Sequence, residues 1–123
     1  MSENGAAFLS QVVEVDHIVG TGASDDTDPI IPAGALVYGV TGRVLAAIGG
    51  TAASWRLGVG GVSDDRYGSG LGVAAGSWVS GLTSRPLAYY TATPLTLTAE
   101  GGTLDGGVVR LAVHFATLQV PRA

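Results

Sequence analysis

The sequence predicts an all-β fold: a single-domain antiparallel β-sandwich, jelly-roll-like, with an extended N-terminal arm. Three observations carry this. Apolar residues alternate with period two in several runs, as in strands with one buried face. Glycine-rich turns separate the runs at intervals of about 8 to 12 residues, a rhythm that fits a sandwich or a barrel. Nowhere do apolar residues recur at helical spacing over three turns. At 123 residues the chain is one domain with enough length for one core. It divides into residues 1–29, an arm with a first strand and loop that serves attachment or subunit contact, and 30–123, the sandwich.

Residues 1–10 are polar and small, with no core of their own, and read as an arm docked on a neighbouring subunit. Residues 11–19 alternate, with Val13, Val15, His17 and Val19 against Val12, Glu14, Asp16 and Ile18, and predict a strand. Residues 20–32 are a loop holding Asp25, Asp26 and Asp28 before Pro29. Residues 35–48 are a second strong strand, with Leu36, Tyr38, Val40 and Val44 on one face and Val37, Thr41, Arg43 and Leu45 on the other. Fourteen residues exceed the usual strand length of about 5–6, so Gly39 and Gly42 predict a bend or bulge. Trp55, Leu57 and Val59 mark a short strand, 61–70 reads as the most loop-like segment, 71–81 is ambiguous, and 87–91 is a further strand.

The last third, 94–120, predicts a β-hairpin. Leu95 to Ala99 run out, the glycines between 101 and 107 reverse the chain, and residues 108–118 return. On the return, Val109, Leu111, Val113 and Phe115 share one face, with Arg110 and His114 on the other.

Charged residues make up 13% of the chain, against about 25% in an ordinary soluble domain. Either neighbours cover part of the surface or a glycine-rich all-β fold needs few charges. The formal net charge is −4, and the six Lys+Arg residues are all arginines, scattered singly. That excludes a phosphate-tracking nucleic-acid binder. No cysteine is present, so disulfides and zinc–thiolate sites are out. The first residues lack the pattern of a secretory signal, and the longest uncharged stretch, 67–84, is broken by five glycines. A soluble protein without membrane insertion is the expectation.

Catalytic motifs fail one by one. Without lysine there is no P-loop, and Gly58-Val59-Gly60-Gly61 precedes no helix. No G-x-S-x-G elbow occurs. His17 and His114 lie mid-strand with no third ligand spaced to join them as a metal site. Asp25, Asp26 and Asp28 lack the calcium-loop pattern and read as turn chemistry, with ion binding left open. Asp64 and Asp65 are adjacent, so on a strand they point apart rather than pairing across a sugar. The sequence therefore assigns no catalytic, cofactor or metal residue.

What remains is aromatic. Arg66, Tyr67, Trp78, Tyr89 and Tyr90 are the candidate ligand or partner surface, since aromatics with polar tips suit sugar stacking and protein docking alike. Trp55, on the apolar face of its strand, reads as core. For Trp78 and the Arg66-Tyr67 pair both readings stand.

Four blocks of the chain belong together: 31–44, opening Ile31-Pro32-Ala33-Gly34; 70–77, opening Gly70-Leu71-Gly72-Val73; 86–99, opening Pro86-Leu87-Ala88-Tyr89-Tyr90; and 102–107 with Val109-Arg110-Leu111. In order and spacing they resemble the C-terminal module of an uncharacterised family of tail-associated proteins in alphaproteobacterial prophages and gene transfer agents. Residues 1–29 depart from that family's amino-terminal region, which leaves the mounting point (tail tip, tail fibre or head spike) open. The resemblance carries no catalytic residues. It implies a virion structural protein, made in the bacterial cytoplasm, that serves as a tail fibre or spike subunit and contributes to host attachment. The expected partners are other virion proteins, further copies in a homo-oligomer (a trimer is the expectation) and host-surface polysaccharide. The alternatives are a free-standing carbohydrate-binding module and, last, a small hydrolase.

Overall fold

The computed structural model describes residues 7–60 and 63–119, which form eleven strands and no helix. In chain order they are β1 (Ala7–Ile18), β2 (Thr21–Gly22), β3 (Ser24–Asp26), β4 (Ala35–Ala46), β5 (Gly49–Gly50), β6 (Ser54–Val59), β7 (Ser63–Leu71), β8 (Trp78–Tyr89), β9 (Thr96–Glu100), β10 (Leu104–Asp105) and β11 (Val108–Gln119). One four-stranded sheet has the order β1-β11-β4-β8 and a second has β3-β9-β6-β7. The short strands β2, β10 and β5 form a third sheet. With those three set aside, the remaining eight strands run first-eighth-third-sixth in one sheet and second-seventh-fourth-fifth in the other. That is the double Greek key of a jelly roll, so the expected fold class holds. No helix among the described residues is long and apolar enough to cross a membrane.

Alternation builds the core. Val109, Leu111, Val113 and Phe115 of β11 are buried, as their spacing predicts, and meet Trp55 and Leu57 of β6 with Leu95 and Leu97 in or beside β9. Each such side chain contributes about 1.5–3 kcal/mol when fully removed from water. Trp55 is 0% exposed and its indole Nε1–H donates to the Gly72 carbonyl at 2.8 Å, so its one polar atom is satisfied inside.

The expected closing hairpin does not form. β9 pairs with β3 and β6, whereas β11 pairs with β1 and β4, so the chain arches from one sheet to the other through β10. Alternation shows that a strand has one buried face and says nothing about its neighbour. Both strands bury a face in the same core from opposite sides. Among the described strands only β6 and β7 are consecutive and paired.

Three segments read differently from expectation. The loop at 20–32 contains β2 and β3. The loop-like 61–70 contains β7, whose glycines and charges sit on an edge strand facing water, where they blunt the edge rather than break it. In β4 the register slips between Val37 and Gly39 against β8, confirming the bulge. The bulge reverses the phase, so Ala35 and Val37 point inward before it and Val40 and Val44 after it. Leu36 and Tyr38 therefore leave the face that holds Val40.

Of the expected arm, residues 1–6 lie outside the described residues. The backbone of β1 pairs along its whole length with β11, and β1, β2 and β3 each supply an edge strand to one of the three sheets.

Candidate functional site

The register of the first sheet sets its outward side chains in rungs. Asp16, Arg110, Arg43 and Trp78 are successive partners across β1, β11, β4 and β8. The next rung is Glu14, Ala112, Thr41 and Ser80, and the one beyond is Val12, His114, Gly39 and Leu82. The middle rung is made of small side chains apart from Glu14. A groove of about 180 Å³ opens there, lined by Glu14, Thr41, Arg43, Trp78, Arg110 and Ala112.

The charged rung has two halves. Arg110 grips Asp16 with both ends of its guanidinium, Nε to Oδ1 at 2.7 Å and Nη2 to Oδ2 at 3.0 Å. That fork holds the Asp16 carboxyl below its ordinary value and raises Arg110 in return. The Arg43 guanidinium lies over the Trp78 ring, 5.0 Å from its centroid, a cation–π contact. Arg43 joins no salt bridge among the described residues. Trp78 is 71% exposed. On the same face the Thr41 hydroxyl and His114 Nε2 are hydrogen-bonded at 2.8 Å.

The structure divides the five sequence-predicted residues. Trp78 begins β8 and lies in the groove, while Tyr89 ends that strand and belongs to a second patch with Arg66, Tyr67 and Tyr90. There Arg66 Nη1 donates to the Tyr89 hydroxyl at 2.9 Å, and the hydroxyls of Tyr67 and Tyr89 are 2.7 Å apart. A shallow pocket of about 380 Å³ is lined by Arg66, Tyr89 and Tyr90 with Val59, Leu87 and Thr93. Tyr67 is a correction: it is 1% exposed, so its ring belongs to the core and offers no face to a ligand. Burial, and then the bond to Tyr89, push its hydroxyl pKa far up. Tyr90 is 87% exposed.

The other sequence candidates are engaged locally. His17 Nε2 and the Gly20 amide both meet the Asp25 carboxylate, and Asp26 accepts from the Thr96 hydroxyl at 2.7 Å. His17 and His114 do not meet, because their strand partners are Val109 and Val12. Asp64 sits 3.6 Å from Arg56. Among the described residues no three His, Cys, Asp or Glu side chains cluster to hold a metal ion. Sequence reasoning missed Arg43, Arg110, Glu14 and Thr41 as companions of Trp78. Each occupies an outward position legible from alternation, but only the cross-strand register brings them together.

No protein-family model matches the chain, and no curated protein matches it. Among solved structures, a chain of the cyanophage Pam1 capsid asymmetric unit is similar, with a TM-score of 0.55 and 21% identity. The likeness covers 95% of this chain and 89% of that one. At this identity it is a likeness of fold.

Proposed function

We propose that this chain is a non-catalytic structural subunit of a phage-like particle, carried as a fibre or spike component that meets host-surface polysaccharide. The observation that carries the reading is the end-to-end likeness to a chain of a cyanophage capsid asymmetric unit. The likeness runs over nearly the whole of both chains. Jelly rolls serve in viral capsids and in lectins, and this chain pairs that scaffold with a groove that holds one exposed tryptophan, Trp78. The resemblance of four sequence blocks to the prophage and gene-transfer-agent tail family supports the same reading. The particle supplies its other partners, with trimeric assembly through residues 1–29 as the expected arrangement. Repetition on one particle would multiply weak sugar contacts.

The non-catalytic reading fits the chemistry of the residues described in the groove. Glu14 is its only carboxylate, and hydrolysis of a glycosidic bond ordinarily calls on two. The exposed Trp78 favours one second reading, a carbohydrate-binding module free of any particle. Mass spectrometry of density-purified particles from the source strain separates the two. The chain should appear in stoichiometric proportion to the shell proteins. Its absence from particles, with the protein found free, would overturn the virion reading and leave the free module.

A further inference from the structure

We propose that the groove across the first sheet binds one carboxylate-bearing sugar unit of an acidic polysaccharide, with Arg43 reading the carboxylate. This names a ligand class for the attachment face and rests on the proposed function for its biological setting only.

Four features of the groove converge on that ligand. Its volume of about 180 Å³ is on the scale of a single pyranose unit. Trp78 stands at one end with 71% of its surface in water, an apolar wall against which the C–H face of a sugar ring packs. Arg43 lies over that indole, its guanidinium carbon 5.0 Å from the ring centroid. A cation–π contact uses none of the guanidinium N–H donors, which keep the planar fork that matches a carboxylate. Its neighbour Arg110 has already spent that fork on Asp16, so Arg43 is the cation of the rung without a carboxylate among the described residues.

The far end of the groove has the opposite chemistry. Glu14 lies two strands from Arg43, roughly 10 Å at ordinary strand spacing. Its carboxylate accepts hydrogen bonds from sugar hydroxyls and repels a ligand carboxylate, which sets the acidic group toward Arg43. On the groove floor Thr41 offers a hydroxyl whose other partner is His114. A neutral sugar would satisfy Trp78, Thr41 and Glu14 and leave Arg43 without its counterion. The polarity of the groove therefore selects for charge as well as for a ring.

The test uses the full chain and length-matched oligosaccharides: oligogalacturonate, oligoguluronate and a neutral galacto-oligosaccharide. Binding is followed by calorimetry at low salt and by tryptophan emission. Trp55 is buried and Trp78 exposed, so a shift in emission reports the groove. The expected result is a dissociation constant of order 1 mM for at least one uronate, about tenfold weaker for the neutral sugar. Arg43→Gln should erase that preference. Arg43→Lys, which keeps the charge and loses the fork, should restore only part of it. Trp78→Ala should abolish binding of both classes, and Tyr90→Ala, on the other patch, should change nothing. Near-ultraviolet circular dichroism of Trp55 checks that each variant is folded. No response to any uronate by folded protein, equal affinity for neutral and acidic sugars, or an Arg43→Gln variant with its preference intact would overturn the proposal. So would light scattering that shows an oligomer dissociated by Trp78→Ala, which would make the face a contact between copies. Particle composition is a separate measurement, so failure here leaves the virion reading standing and the reverse also holds.

Discussion

The Tyr67 hydroxyl lies 2.7 Å from that of Tyr89, and the pair joins the edge of one sheet to the edge of the other. Tyr67 is in β7 and Tyr89 ends β8, so the contact closes the sandwich on the side where neither strand has a further partner. Arg66 adds a third group by donating to the Tyr89 hydroxyl. Tyr67→Phe removes one bond of this chain but leaves Tyr89 with Arg66. The expected loss is about 1 kcal/mol, that of a single neutral hydrogen bond. Tyr67→Ala also removes the buried ring and should lose about 3–5 kcal/mol. Urea denaturation of the two variants measures the difference.

Alkaline pH tests the same hydroxyl. Its folded pKa is raised, first by burial and then by the bond to Tyr89. The protonated form is therefore favoured by folding, and the contribution is complete below the unfolded value of about 10. Above that value the denatured chain releases its proton while the native chain keeps it. Stability should then fall by up to about 1.4 kcal/mol per pH unit on account of this group. Tyr67→Phe should flatten that limb in denaturation curves between pH 9 and 11, as rough bounds. An unchanged slope would place the titration elsewhere.

Gly81 of β8 crosses directly beneath Tyr67. A Cβ at that position would sit 2.1 Å from the Tyr67 carbonyl oxygen, a backbone atom that cannot swing aside. Gly81→Ala should therefore force β7 and β8 apart and destabilise by about 2–3 kcal/mol, as overpacking does. Emission from Trp55 during thermal melting would follow the loss. Little change in melting temperature would mean that the two edges separate freely.

Much of the sandwich was legible because burial on one face leaves a period-two trace. Val109, Leu111, Val113 and Phe115 show it in β11, and Gly39 marked the bulge in β4. What the trace omits is pairing. The segments at β9 and β11 carry alternating patterns and glycines between them, yet they lie in opposite sheets. Strand β7 was hidden because an edge strand tolerates charges and glycines, here Asp64, Asp65 and Gly68, that a central strand would not. The groove was half visible for the same reason. Trp78 stood out by residue type, whereas Asp16, Arg43 and Arg110 come from three other strands and become one rung only through register.

The Asp16–Arg110 fork is exposed, so its effect on stability is small and screened. The sign is still fixed by the lowered Asp16 pKa. A depressed folded value contributes above the unfolded pKa of about 3.9 and is lost as pH falls through the folded value. Wild-type protein should show a steeper loss of melting temperature on acidification below about pH 4 than Asp16→Asn. Added salt should narrow the gap at neutral pH. Equal acid limbs in both proteins would show that the pair does not persist in solution.

Strand β1 offers the last and largest test, because it falls in the expected attachment segment and also completes a sheet. Its backbone pairs with β11 over twelve positions, and Val13 and Val15 pack against the core from its inner side. Deleting residues 1–18 would bare the full edge of β11 and uncover that part of the core. An unpaired, flat and apolar edge pairs readily with another chain. The truncated protein should lose a large part of a native stability that is typically about 5–15 kcal/mol. It should also associate in a concentration-dependent way, seen by light scattering. If the truncated chain instead shows no such association and melts like the full one, the second sheet and residues 30–119 hold the fold without β1. The first strand would then be free to serve attachment alone.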